Sequence, residues 1–118
     1  MNLSLDHTQR LNLHALFGAQ RGTVDDLRFY WRLQDRIELN AEEKKQVHFR
    51  MENVNGGTQA FWDFDAPFGP VTFEFTGDEY ARVKKLIQEW QPGFFAGSDR
   101  RWLEPLLLQF ETNGQPKN

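Results

Sequence analysis

The residues able to do chemistry are few and scattered. His7 and His14 lie seven apart, two turns of one helix, which separates them by roughly 10 Å along the axis. That is too far for one metal ion, and His48 has no neighbour in the sequence pattern. A structural zinc site needs four ligands and a catalytic one three plus water. The chain has no cysteine, so the histidines read as exposed or singly hydrogen-bonded imidazoles. Asp63 and Asp65 flank Phe64 and would point to one side of a strand. Paired carboxylates can divide acid and base roles or bind a cation, but no third ligand accompanies them, and a polar sheet face accounts for them. Ser4 and Ser98 are the only serines, and neither stands in a GxSxG elbow. Asn55-Gly56-Gly57-Thr58 lacks the lysine and the glycine spacing of a phosphate loop. No catalytic residue, metal ligand or cofactor is nominated.

Arginine and the aromatics carry the remaining signal. The chain has nine Arg and five Lys, and Arg suits bidentate and stacked contacts. Arg28, Arg32 and Arg36 recur at i, i+4, i+8 and form a ridge on one helix; Arg100 and Arg101 stand near the start of the last helix. A helix that docks in a nucleic-acid groove would look like this. Asp25 and Asp35 flank the ridge, however, and the net charge is −3, so nucleic acid ranks below protein as a partner. Phe61 points away from the expected core face. Phe94 and Phe95 lie in a loop, and Phe29 and Tyr30 widen the apolar arc of their helix. Aromatics beside Arg are what interface hot spots are made of. Phe29, Tyr30, Phe61, Phe94 and Phe95 with Arg28, Arg32, Arg36, Arg100 and Arg101 are therefore the candidate interaction surface. The alternative is that the aromatics close the edges of the core.

These residues must be positioned by a recognisable series of elements. Asp6 and Gln9 stand at capping-box spacing before a first helix that exits at Gly18. Thr23 and Asp26 open a second helix, whose stripes are Val24, Leu27, Trp31 and Phe29, Tyr30, Leu33, Ile37. Asn40 and Glu43 open a short helical stretch. Val47, Phe49 and Met51 then alternate with polar residues, Asn55-Gly56-Gly57 marks a hairpin, and Thr58–Phe64 returns. After Pro67, Gly69 and Pro70, alternation resumes at Val71, Phe73 and Phe75. The expected sheet is a three-stranded antiparallel meander. Thr76 and Glu79 open an amphipathic helix bearing Tyr80, Val83, Ile87 and Trp90, stopped by Pro92-Gly93. The last helix holds Trp102, Leu103, Leu106, Leu107 and Phe110; Pro105 marks either its first position or a kink.

The expected class is α+β: two N-terminal helices, the meander, and two C-terminal helices packed on one sheet face. Trp62, Phe73, Val83, Ile87 and Trp90 should share one core. Residues 1–111 should form a single domain, with a frayed tail from Thr112 to Asn118.

The composition agrees with this class. At 118 residues, 26% charged and 39% hydrophobic, with 11 Phe and 4 Trp, the chain has apolar side chains enough to offset chain entropy, unlike a disordered segment. No apolar run approaches the length of a membrane span. Met1–Leu5 lacks the features of a secretory signal, and the absence of cysteine agrees with a reducing compartment; the expected location is the cytoplasm.

The stretches TVDDLRFYWRLQDRIELNAEE, TGDEYARVKKLI and RRWLEPLL together resemble short proteins of no assigned activity carried by bacteriophages and prophages. The resemblance covers most of the chain and contains no catalytic motif, so no residue inherits a role. It implies a bacterial host setting. It also implies an accessory protein that binds another protein or itself, including inhibitors and modulators of host or defence proteins.

Overall fold

Capping chemistry sets where the helices begin. The computed structural model of the chain describes residues 1–113. Helix α1 (His7–Gly18) starts at Asp6, α2 (Val24–Ile37) at Thr23, α3 (Ala41–Gln46) at Asn40, and α4 (Gly77–Gln88) at Thr76. Each cap side chain accepts the backbone N–H three residues on, and Gln9, Asp26, Glu43 and Glu79 return the bond to the cap amide. A fifth helix, α5 (Arg100–Asn113), holds Pro105 in its interior. Pro105 therefore does not occupy the first helical position; its ring is exposed and it withholds one amide from the helix ladder.

The class is α+β, with two small antiparallel sheets among the described residues. The strands are β1 (Asn2–Leu5), β2 (Arg50–Val54), β3 (Gly57–Phe61) and β4 (Val71–Glu74). In place of the expected three-stranded meander, β2 pairs among the described residues only with β3, and β4 pairs with β1, matching Leu3 to Phe73 and Leu5 to Val71. The N-terminal residues form a strand whose Leu3 and Leu5 are fully buried. Met1 extends the pairing: its ammonium donates to the Phe75 carbonyl (2.6 Å) and its carbonyl accepts the Phe75 amide (2.8 Å).

The chain divides into two compact units. Asp6–Pro70 forms one; Met1–Leu5 with the chain from Val71 onward forms the other. In the first, α1 and α2 bury Leu13, Leu16 and Phe17 and Phe29, Leu33 and Ile37, with Leu39 and Val47 also buried. Gln34 Nε2 donates to the His14 carbonyl (3.0 Å) and stitches the two helices together. Arg10, 4% exposed, donates from Nε to the Ile37 carbonyl (2.9 Å) and holds Glu43 in a two-pronged ion pair at 2.7 and 3.2 Å. Val47 ends α3, and His48 and Asn55 take positive φ of 53° and 50°. The strand expected from Val47 therefore begins only at Arg50, and all of its side chains are exposed.

In the second unit, Tyr80, Val83 and Ile87 of α4 and Trp102, Leu106 and Phe110 of α5 are buried, with Tyr80 edge-on to Phe110 at 5.1 Å. Gln109 serves β1 as a surrogate strand, accepting the Ser4 amide (2.8 Å) and donating to its carbonyl (2.7 Å). The helix continues through Thr112 and Asn113, and Asn113 Nδ2 donates to the Asn2 carbonyl and Tyr80 hydroxyl (3.3 and 3.1 Å). The tail expected from Thr112 is thus helical at its first two residues; the rest of it lies outside the described residues. The expected common core also divides. Val83 and Ile87 are buried and Phe73 and Trp90 half-buried, while Trp62 follows β3 in the other unit, half-buried, its Nε1 donating to Thr8 Oγ1 (3.0 Å).

Candidate interaction surface

The start of α5 is built around one carboxylate. Asp99 Oδ2 accepts the Phe95 amide (2.7 Å), Asp99 Oδ1 accepts the Trp102 indole N–H (3.0 Å), and the Asp99 amide donates to the Phe95 carbonyl (3.0 Å). The loop before the helix is thereby pinned at both ends of the five-residue turn Phe95–Asp99. Consecutive phenylalanines then diverge. Phe94 turns inward, edge-on to Trp102 at 5.8 Å and 75°. Phe95 turns outward and is 77% exposed. Between them and the first two turns of α5 lies an open groove of about 280 Å³, floored by Phe94, Leu103 and Leu107 and rimmed by Phe95, Arg100 and Glu104. Arg100 Nε donates to Glu104 Oε2 (2.8 Å), and Glu104 raises the Arg100 pKa through that hydrogen bond and its charge. The groove thus brings together three residues nominated from sequence: Phe94, Phe95 and Arg100. Arg101 is exposed beside them.

The other nominated residues lie in the Asp6–Pro70 unit. Phe29 is buried, with the Arg32 guanidinium 5.7 Å from its ring centre. Tyr30 is half-buried, stacked on Phe17 at 6.1 Å. Of the two apolar stripes on α2, the one through Phe29, Leu33 and Ile37 is buried, while Val24 and Trp31 of the other are more than half exposed. Arg28 and Arg32 are exposed and Arg36 is half-buried, so the ridge is not uniformly presented. Phe61 is half-buried under Arg50, whose guanidinium lies 5.7 Å above the ring. Phe61 borders a shallow apolar hollow with Trp62 and the exposed Phe64.

The histidines take separate places. His7 Nε2 donates to the Asp63 carbonyl (2.7 Å) and its ring meets Phe68 edge-on. His14 Nε2 lies 3.9 Å from Glu38. His48 Nδ1 donates to the Asp63 carboxylate at 2.5 Å, with both side chains largely exposed. No sequence signal links His48 to Asp63, because the hairpin that brings them together must form first. Among the described residues, no group of three or more His, Asp or Glu side chains could hold a metal ion. Nor is any helix among them long and apolar enough to cross a membrane. No protein-family model, curated protein or solved structure matches the chain.

Proposed function

We propose that this chain is a protein-binding accessory protein and that the groove beside Phe95 is its contact surface. The observation that carries this reading is an aromatic ring 77% exposed on a backbone pinned by Asp99. A side chain carried on a fixed backbone leaves less chain freedom to be lost on binding, so more of its burial is realised as affinity. Large apolar area beside a guanidinium is the usual make-up of an interface hot spot. The rim charges are already matched: Arg100 bonds Glu104, and both Asp99 oxygens accept N–H groups. A neutral apolar segment of a partner protein fits such a groove better than a polyanion does. The resemblance to phage and prophage proteins supports a partner among bacterial host or defence proteins, met in the cytoplasm, with inhibition or modulation as the outcome.

The test is capture from a bacterial host lysate with the wild type and with Phe95→Asp side by side. A substitution at so exposed a position should change stability by no more than about 0.5 kcal/mol. The expected result is a discrete protein retained by the wild type and lost from the variant. Retention indifferent to Phe95→Asp would remove the groove as the contact surface, and recovery that nuclease abolishes would turn the reading toward nucleic acid.

A further inference from the structure

We propose that the outer edge of β2 docks against the same edge of a second copy of this chain, antiparallel, about a two-fold axis through Met51. The inference goes beyond the groove reading and stands on a different element.

The hairpin fixes which backbone groups are free. Val54 and Gly57 flank the two-residue turn Asn55-Gly56, whose φ values of 50° and 81° are those of a type I′ turn. The two flanking residues of such a turn exchange both backbone hydrogen bonds. Bonded and non-bonded pairs alternate along an antiparallel ladder, so Glu52–Gln59 and Arg50–Phe61 are the next bonded pairs. Met51 and Asn53 must then aim their N–H and C=O groups away from β3. Among the described residues the sheet ends there, with β2 and β3 its only strands, and every β2 residue is exposed, Met51 by 56%. An unpaired edge of this kind is a template for another strand, and a lone two-stranded ribbon gains most from one.

Charge then selects the occupant and the register. Pairing about Met51 sets Arg50 against the second copy's Glu52, and Glu52 against the second copy's Arg50, on one face. Pairing about Glu52 would oppose two carboxylates. Pairing about Asn53 would set Glu52 against Val54 and run the ladder into the turn. Only the first register is charge-complementary, and like charges directly opposite destabilise a strand pair. The β3 edge, Gly57–Phe61, holds no charged residue to choose a register. At the far end the Phe49 amide already donates to the Lys44 carbonyl (2.9 Å). The contact is therefore short, and the association is expected to be reversible and concentration-dependent.

Sedimentation equilibrium of the full chain at low salt, over a concentration series reaching the millimolar range, tests the proposal. Wild type should dimerise reversibly. Arg50→Glu and Glu52→Arg, each alone, set like charges opposite one another and should weaken dimerisation at least tenfold. An equimolar mixture of the two variants should recover it, although each chain has lost its own Arg50–Glu52 pair (3.2 Å). Met51→Pro removes only an outward amide and should give a monomer with the hairpin retained in its circular dichroism. Phe95→Asp should leave the dimer unchanged. A wild type monomeric throughout would overturn the proposal. So would single variants or Met51→Pro that dimerise like wild type, or a mixture that fails to recover.

Discussion

Removing the Glu43 carboxylate should be among the most damaging single changes in the Asp6–Pro70 unit. The Arg10 side chain is 5% exposed and that of Glu43 18%. Their fork closes at 2.7 and 3.2 Å, and the remaining guanidinium bonds go to the Ile37 and Glu38 carbonyls at 2.9 and 3.0 Å. Glu43→Ala would remove the carboxylate that forks onto a buried cation. Breaking a buried ion pair from one side costs about 3–5 kcal/mol. Because Glu43 keeps some contact with water, the loss should fall near the lower end, about 3 kcal/mol. The double change Arg10→Met with Glu43→Leu should cost less than either single change, since it leaves no charge unpaired. The pair also sets an acid dependence. The hydrogen bonds from Arg10 lower the Glu43 pKa from 4.5, outweighing partial burial, with the Asn40 amide and the Arg10 charge adding to the effect. A depressed carboxylate contributes stability that is complete above the unfolded value of 4.5 and is lost as pH falls through the lower folded value. Urea unfolding at pH 7 and across the acid range measures both effects. A Glu43→Ala cost below about 1 kcal/mol, or a Glu43→Gln variant with the wild-type acid dependence, would refute the reasoning.

Other outcomes follow from single contacts. Gln109→Leu should cost about 1–3 kcal/mol in urea unfolding, because it strands the Ser4 amide and carbonyl that Gln109 now satisfies. Trp62→Phe should cost about 1 kcal/mol by the same measurement, for the lost bond to Thr8. Trp62→Ala should cost about 2–3 kcal/mol, below the value for a fully buried ring. Fluorescence anisotropy with a labelled duplex should show negligible DNA binding at physiological salt. Micromolar binding with a log–log salt slope near about −2.7, for three phosphate contacts, abolished by Arg28→Ala, Arg32→Ala and Arg36→Ala together, would promote the nucleic-acid reading.

Local signals were legible in the sequence, and long-range ones were not. The caps at Asp6, Thr23, Asn40 and Thr76 depend on residues three apart, and all four formed as read. The Asn55-Gly56 turn is equally local. The pairing of β1 with β4 joins residues some seventy positions apart, and four-residue strands carry too little pattern to announce a partner. Sequence order favoured β3 beside β4, whereas β4 takes β1 as its partner. On α2 both apolar stripes looked fit for burial; packing against α1 took the one through Phe29, Leu33 and Ile37. The groove was half legible. An adjacent pair of phenylalanines on a loop is visible in the sequence, yet which of them turns out depends on Asp99 and Trp102, whose contacts exist only in the folded chain.

The most direct test of the binding surface is the affinity of the captured protein for wild type, Phe95→Ala and Leu108→Ala, measured by titration calorimetry. Leu108 is 55% exposed on α5 and does not line the groove, so it controls for loss of apolar surface in general. A hot-spot ring is worth at least about 2 kcal/mol, roughly thirtyfold in affinity. Phe95→Ala should weaken binding by at least that factor, and Leu108→Ala should leave it unchanged. Equal affinity for wild type and Phe95→Ala would contradict the assignment of the groove as the contact surface.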